Sequence, residues 1–261
     1  MLTLSIVAAI AVMLLMPLLL AAVLVRGLGM PARLLLVGAA TFLLSQAIRL
    51  PLLQGLTHLF ASGALPTPDP AYIAAFNIAV LAFTAGLFEE TARYIAYRKA
   101  IPEARSWNAA VTFGAGHGGV ECLIVGGLMG LELANMLALA GSPALPSLTA
   151  DQNALLAAQV ERYWSAPAFM PVLGALERLF AITFHLAMAV LVLQAVKRRN
   201  LGLLALAIAL HAATNAMAVV AMQAYGPVAA EMLLLAVAAA AVVYLVATRR
   251  RETETAARLT Q

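Results

Sequence analysis

Long apolar stretches alternate with short polar ones along almost the whole chain. Apolar runs cover residues 2–25, 34–60, 71–97, 108–140, 171–196, 201–223 and 228–248. Each reaches or exceeds the roughly 20 residues that an α-helix needs to cross a bilayer core. The pattern therefore predicts an all-α membrane protein, a polytopic bundle of about seven transmembrane helices, six to eight depending on where the soft ends are drawn. The breaks at 61–70 (ASGALPTPDP), 141–148 (GSPALPSL) and 225–227 (YGP) each carry Gly and Pro, which do not continue a helix. Residues 151–164 (DQNALLAAQVERYW) read differently, as a short, partly polar interfacial helix that is a connector before it is a lid.

Among the breaks, basic residues concentrate in alternate ones and the tail: Arg26 and Arg33; then Arg98, Lys99 and Arg105; then Lys197, Arg198 and Arg199; and finally 249–251 with Arg258. By the positive-inside rule these face the cytoplasm, which puts the N-terminus outside and the C-terminus inside, as an odd number of spans requires. The first run lacks the positive n-region of a signal peptide and is too long for its apolar core, so it is expected to remain a span. The chain thus reads as one transmembrane domain over 1–261, with a motif-bearing core at about 71–223 and a basic cytoplasmic tail at 249–261. It is expected to be integral to a bacterial-type cytoplasmic membrane.

Composition agrees. Hydrophobic residues make up 64% of the 261 and charged residues 11%, too few to cover a soluble domain of this length. The excess of 16 basic over 12 acidic residues gives +4, but its placement in loops argues for orientation and not for a nucleic-acid partner. One cysteine, Cys122, allows no internal disulfide.

What changes the picture is the set of ionisable residues inside the runs. A charge at the bilayer centre costs at least about 2.5–3.5 kcal/mol, so each needs a partner, a cavity or a task. The third run carries Glu89, Glu90 and Arg93; the fourth His117, Glu121 and Glu132; the fifth Glu177, Arg178 and His185; the sixth His211 and Asn215. His117 lies 12 residues after Arg105, His185 lies 12 before Lys197, His211 lies 12 after Arg199, and Glu89 lies nine before Arg98. At about 1.5 Å per residue all four sit roughly 14–18 Å below the basic surface, in one layer. Glu89 with Arg93, His117 with Glu121, and His211 with Asn215 are i,i+4 pairs, each on one helix face. Arg178 and Glu132 are expected to form a separate structural ion pair. Glycines 114, 116, 118 and 119 around His117 are expected to allow close helix approach and, as a subsidiary reading, to leave room for a substrate backbone.

Absent residues exclude several chemistries. The only aspartates, Asp69 and Asp151, lie in breaks, so no aspartyl dyad can form in the membrane. There is no HExxH, no serine motif paired with a membrane histidine, and Cys122 is a lone thiol. Two routes to hydrolysis remain. Glu89 or Glu90, adjacent carboxylates that cannot both ionise cheaply, can serve as a general base steadied by Arg93, with His117, His211 and Asn215 orienting water and donating to the oxyanion. Alternatively His117, His185 and His211 with Glu121 or Glu89 can ligate Zn²⁺.

The EExxR of Glu89, Glu90 and Arg93, the FxxxH of Phe113 and His117, and the HxxxN of His211 and Asn215, in that order on successive helices, resemble the CAAX-processing and bacteriocin-processing (CPBP) superfamily of intramembrane proteases. The GxGHGxxE context with Glu121 is most similar to the YhfC group of membrane peptidases, which is also similar to PrsW-type proteases. The resemblance implies a glutamate-dependent intramembrane endopeptidase with Glu89 as base, Glu90 and Arg93 in support, and His117, His211 and Asn215 on the water and the oxyanion. It does not extend to His185 and Glu121, and the arginine comes one residue sooner than in the EExxxR of the CAAX enzymes. The superfamily has been described in both metal-dependent and metal-free terms. The partners expected are the bilayer and a membrane protein or a lipidated or hydrophobic peptide, reached from the cytoplasmic half. The competing classes are a proton- or metal-coupled transporter and a non-catalytic immunity or scaffold relative. Nothing in the residues speaks to oligomeric state.

Overall fold

The computed structural model describes residues 1–141 and 145–259. Among these, eight α-helices and no strand are found: α1 (Leu2–Ala22), α2 (Ala32–Ala61), α3 (Ile73–Lys99), α4 (Trp107–Ala140), α5 (Ala150–Trp164), α6 (Met170–Lys197), α7 (Leu201–Tyr225) and α8 (Pro227–Leu259). All but α5 belong to segments long and apolar enough to cross a membrane. The protein is therefore an integral membrane protein with seven candidate spans, as the pattern of apolar runs predicts. Residues 142–144 of the second Gly/Pro break, and 260–261 of the tail, lie outside the described residues.

The ends follow from local chemistry. Ser106 starts α4 by accepting the Ala109 N–H at 3.2 Å, and Asn200 starts α7 by accepting the Gly202 N–H at 2.8 Å. Thr149 and Gln152 form a reciprocal capping box at α5. At Gly226 the backbone takes φ 87°, a conformation that lets α7 turn directly into α8. No residue of α5 is buried, consistent with a helix lying against the bundle's end.

Helix α6 is the axis. In its most apolar stretch 61% of residues are buried inside the protein, against 17–28% in the other spans. It packs against α1, α3, α4, α7 and α8, while α4 packs between α1, α2 and α6, and α3 lies along α7. The approach of α2 to α4 is backbone to backbone. A Cβ on Gly116 would stand 2.1 Å from the Leu35 carbonyl oxygen, and one on Gly38 would stand 2.1 Å from that of Phe113. On the other side of α4 a Cβ at Gly118 would meet the His185 side chain at 3.0 Å. The space beside His117 is thus filled by α2 and α6. This corrects the subsidiary expectation of room for a substrate backbone there: the glycines serve helix packing, in which close contact replaces a hydrophobic driving force.

The basic tail is helical as far as Leu259. The Glu252 carboxylate accepts the Trp107 N–H at 3.0 Å, the Trp107 indole N–H donates to the Leu245 carbonyl at 3.1 Å, and the Arg249 guanidinium lies 5.0 Å from the Trp107 ring. These contacts tie the end of α8 to the start of α4, the helix that carries His117.

Candidate active site

Each polar residue of the expected layer is delivered by a different helix. On α3, Glu90 and Arg93 are one helical turn apart and form an ion pair, while Arg93 Nη2 lies 3.7 Å from Glu89 Oε2. From α4, His117 Nε2 meets Glu89 Oε2 at 3.0 Å. From α7, His211 Nδ1 meets Glu90 Oε1 at 2.6 Å, and its Nε2 lies 3.9 Å from Glu89 Oε2. From α6, His185 touches Arg93 Nη2 through Nδ1 at 2.7 Å and Glu121 Oε2 through Nε2 at 2.7 Å. Neighbouring imidazole centroids are 5.3 and 5.5 Å apart. Glu89, Glu90, Arg93, His117, His185 and His211 are all at most 5% exposed. In so dry a setting an uncompensated charge is costly, and the dense pairing is the compensation.

Partner chemistry assigns the tautomers. Arginine only donates, so His185 Nδ1 accepts from Arg93 and its Nε2–H donates to Glu121. A carboxylate accepts, so His211 donates Nδ1–H to Glu90 and keeps Nε2 toward Glu89. Glu121 is held in turn by Arg178, whose Nη1 donates to Glu121 Oε1 at 2.9 Å, and Arg178 also pairs with Glu177. The expected Arg178–Glu132 pair does not form. Glu132 is exposed and lies 11 residues beyond Glu121, about 16 Å along α4, whereas Glu121 is level with Arg178.

Two site residues escaped the sequence reading. Gln46, on α2, donates Nε2–H to Glu89 Oε1 at 3.2 Å, and Arg49 donates to Gln46 Oε1 at 3.2 Å, to Thr84 Oγ1 at 3.1 Å and to the Leu81 carbonyl at 2.9 Å. Arg49 sets the orientation of the Gln46 amide, so that its NH₂ faces Glu89. A signal was present: Gln46 and Arg49 stand three apart, on one helix face, near the middle of a run long enough to span the membrane, where a charge needs a partner.

One ligand atom each from Glu89, His117 and His185 lies within 4.8 Å of the others. His211 and Glu121, also named as ligand candidates from sequence, stand a step further out, behind Glu90 and His185 respectively. The donor set of two imidazoles and one carboxylate is that of a catalytic zinc centre with an open position. Glu121 behind His185 is the carboxylate that commonly orients a metal-bound histidine. Among the described residues His117 Nδ1, Glu90 Oε2 and Arg93 Nε are buried without hydrogen-bond partners. Four carboxylates, Glu89, Glu90, Glu121 and Glu177, also face only three guanidiniums, those of Arg49, Arg93 and Arg178. The surplus negative charge suits a cation, as do the unpaired His117 Nδ1 and Glu90 Oε2, whereas the unpaired Arg93 Nε–H, a donor, does not.

A cavity of about 340 Å³ opens onto this layer. Glu89, His185, His211 and Asn215 line it at the layer, and the Asn215 amide makes no hydrogen bond among the described residues. Its walls combine apolar residues, Ile78 and Leu81 of α3, Ala218 and Val219 of α7, and Leu234 and Val237 of α8, with the charged Arg49 of α2, Glu121 of α4, and Glu177 and Arg178 of α6. These lie on the side of the layer facing the Gly/Pro-rich ends. Toward the basic ends the layer is sealed by Tyr97, Ala110, Phe113 and Ala189, none measurably exposed, with the Tyr97 hydroxyl donating to the Ala189 carbonyl at 3.1 Å. The expectation that the site opens toward the basic, cytoplasmic half is thereby corrected. The small residues of α4 and α6 that allow close packing are concentrated on that side and close it.

A family model described as YhfC intramembrane metalloprotease matches residues 12–239. Over 138 residues the chain is 36% identical to the uncharacterized membrane protein YhfC of Bacillus subtilis (strain 168), a match covering 52% of this chain and 53% of that protein. The aligned region spans about half the length of that curated relative.

Proposed function

The chain belongs to the YhfC intramembrane metalloprotease family, and on that premise we propose that it hydrolyses a peptide bond of a membrane protein or a lipidated or hydrophobic peptide at the buried Glu/His layer. The observation that carries this reading is the cavity that ends on Glu89, His185, His211 and Asn215 and is closed beyond them toward the basic ends by Tyr97, Ala110, Phe113 and Ala189. A dead end suits hydrolysis better than translocation, which needs polar continuity to both faces.

Glu89, His117 and His185 would hold a divalent metal, Zn²⁺ by donor type. When bound, such an ion polarises a carbonyl and yields hydroxide from water near neutral pH. The chain's own residues do the rest. Gln46 holds Glu89 through its second oxygen, and Glu121 fixes the ring of His185. Arg93 offsets the charge of Glu90, and Glu90 fixes the tautomer of His211, leaving the Nε2 lone pair to take a proton from the attacking water and then pass it to the departing amine. Asn215, one turn from His211 on the same face, donates to the oxyanion.

One contact favours a metal-free variant of the same reaction: the Arg93 donor on His185 Nδ1 occupies the lone pair a metal would use. In that variant Glu89 takes the proton of the attacking water directly. The two are separated by metal content and chelator sensitivity of purified protein acting on a reporter the parent cleaves. With a metal, Glu89→Gln, His117→Ala and His185→Ala each lose the ion, while His211→Ala keeps it and loses about 10²–10⁴-fold in cleavage. Chelator-insensitive cleavage by metal-free protein selects the glutamate route. Full cleavage by both Glu89→Gln and His211→Ala eliminates the proposal in either form.

A further inference from the structure

A hollow larger than the one at the Glu/His layer lies elsewhere in the protein. It is a cavity of about 770 Å³ at the basic end of the bundle, where α4, α6, α7 and α8 emerge together. Arg105, Lys197, Arg198 and Arg251 line it, and Glu252 is its one acidic residue. Glu252 is already committed to the Trp107 N–H. Lys197 donates to the Arg105 carbonyl at 3.0 Å and Arg105 to those of Tyr97 and Ala104 at 3.1 Å each. Arg198 and Arg251 make no hydrogen bond or ion pair through their side chains among the described residues. None of the four cations has a carboxylate partner within 4.0 Å among those residues. Four cations lining one cavity against the single carboxylate of Glu252 leave an excess of positive charge whose mutual repulsion an anion would relieve.

The remaining lining has a polarity gradient. Ser106, whose oxygen caps α4, keeps its hydroxyl hydrogen free to donate, and Gln194 and Tyr244 add further polar groups on the same wall. On the membrane side the wall is leucine: Leu191, Leu203 and Leu206. A ligand complementary to this cavity carries a compact anion at one end and apolar bulk at the other.

We propose that this cavity binds a phosphate-bearing anion, with the phosphate among Arg105, Lys197, Arg198 and Arg251. Its source is an anionic phospholipid headgroup, whose acyl chains the leucine wall accommodates, or a soluble phosphate. Basic pockets between spanning helices hold lipid headgroups by the same charge-assisted hydrogen bonds. The contacts of Glu252 and Arg249 with Trp107 and Asn108 place the floor of this cavity in direct connection with the start of α4. Occupancy is therefore expected to stabilise the bundle.

The test uses the full chain and reads thermal unfolding, so it is independent of proteolysis. The parent is expected to gain Tm in phosphatidylglycerol-containing nanodiscs over purely phosphatidylcholine ones, which identifies the lipid source. A gain instead with inorganic phosphate in detergent, beyond chloride at equal ionic strength, identifies the soluble source. The double variant Arg198→Gln with Arg251→Gln removes two side chains that hold nothing else, and should weaken the effect about tenfold or more on titration. The pair Arg26→Gln with Arg258→Gln removes the same charge outside the cavity and should leave it intact. No gain with either anion, a gain surviving the cavity variant, or equal loss in both double variants would overturn the proposal.

Discussion

Glu121 illustrates how much a single side chain can do without touching the reacting atoms. It takes the Nε2–H of His185 and the guanidinium of Arg178, and so fixes which nitrogen of His185 carries a lone pair toward Arg93 and Glu89. Loss of an outer-shell carboxylate of this kind commonly lowers metal affinity about 10–100-fold. Glu121→Ala is accordingly expected to weaken Zn²⁺ binding by that factor in a competition titration, with the helical content unchanged by circular dichroism. Unchanged affinity would remove Glu121 from its positioning role. The expected pairing of Arg178 with Glu132 failed on the same scale of detail: i,i+4 arithmetic along one helix is reliable, but which of two acidic residues a neighbouring helix presents depends on helix offset.

At the scale of elements, the layer exists because α2 and α6 approach α4 closely enough for side chains of five helices, α2, α3, α4, α6 and α7, to meet. Gly38 and Gly116 make one of those contacts, each against the other helix's backbone. A methyl group there meets a carbonyl that cannot move aside as a flexible side chain would. Gly116→Ala is expected to lower stability by about 1–3 kcal/mol through overpacking, seen as a fall in Tm. Because His117 is adjacent, it should also reduce bound metal. A comparable substitution at Gly127, where a Cβ meets nothing within 4 Å, should be silent and serves as the control. If both behave alike, the backbone crossing is not what holds α2 to α4.

For the molecule as a whole, the consequential feature is that the polar layer is open on one side and closed on the other. The single cysteine, Cys122, is 1% exposed, so thiol labelling carries little background. Ala218→Cys, in the cavity wall, should react with a hydrophilic maleimide, and Ala110→Cys, on the sealed side, should not. Reaction at Ala110→Cys alone would reverse the assignment of the opening. Much was legible in the chain before any fold was considered. Seven spans, their approximate limits and the common depth of Glu89, His117, His185 and His211 follow from hydropathy and from the fixed rise of a helix, both properties of the chain itself. Tertiary structure alone decided that Gln46 and Arg49 join the layer, that Glu89, His117 and His185 form the compact trio, and that the cavity faces the Gly/Pro-rich ends. Those outcomes depend on the rotation and offset of each helix against its neighbours, which close glycine contacts and side-chain packing set, and no periodicity along one helix records them.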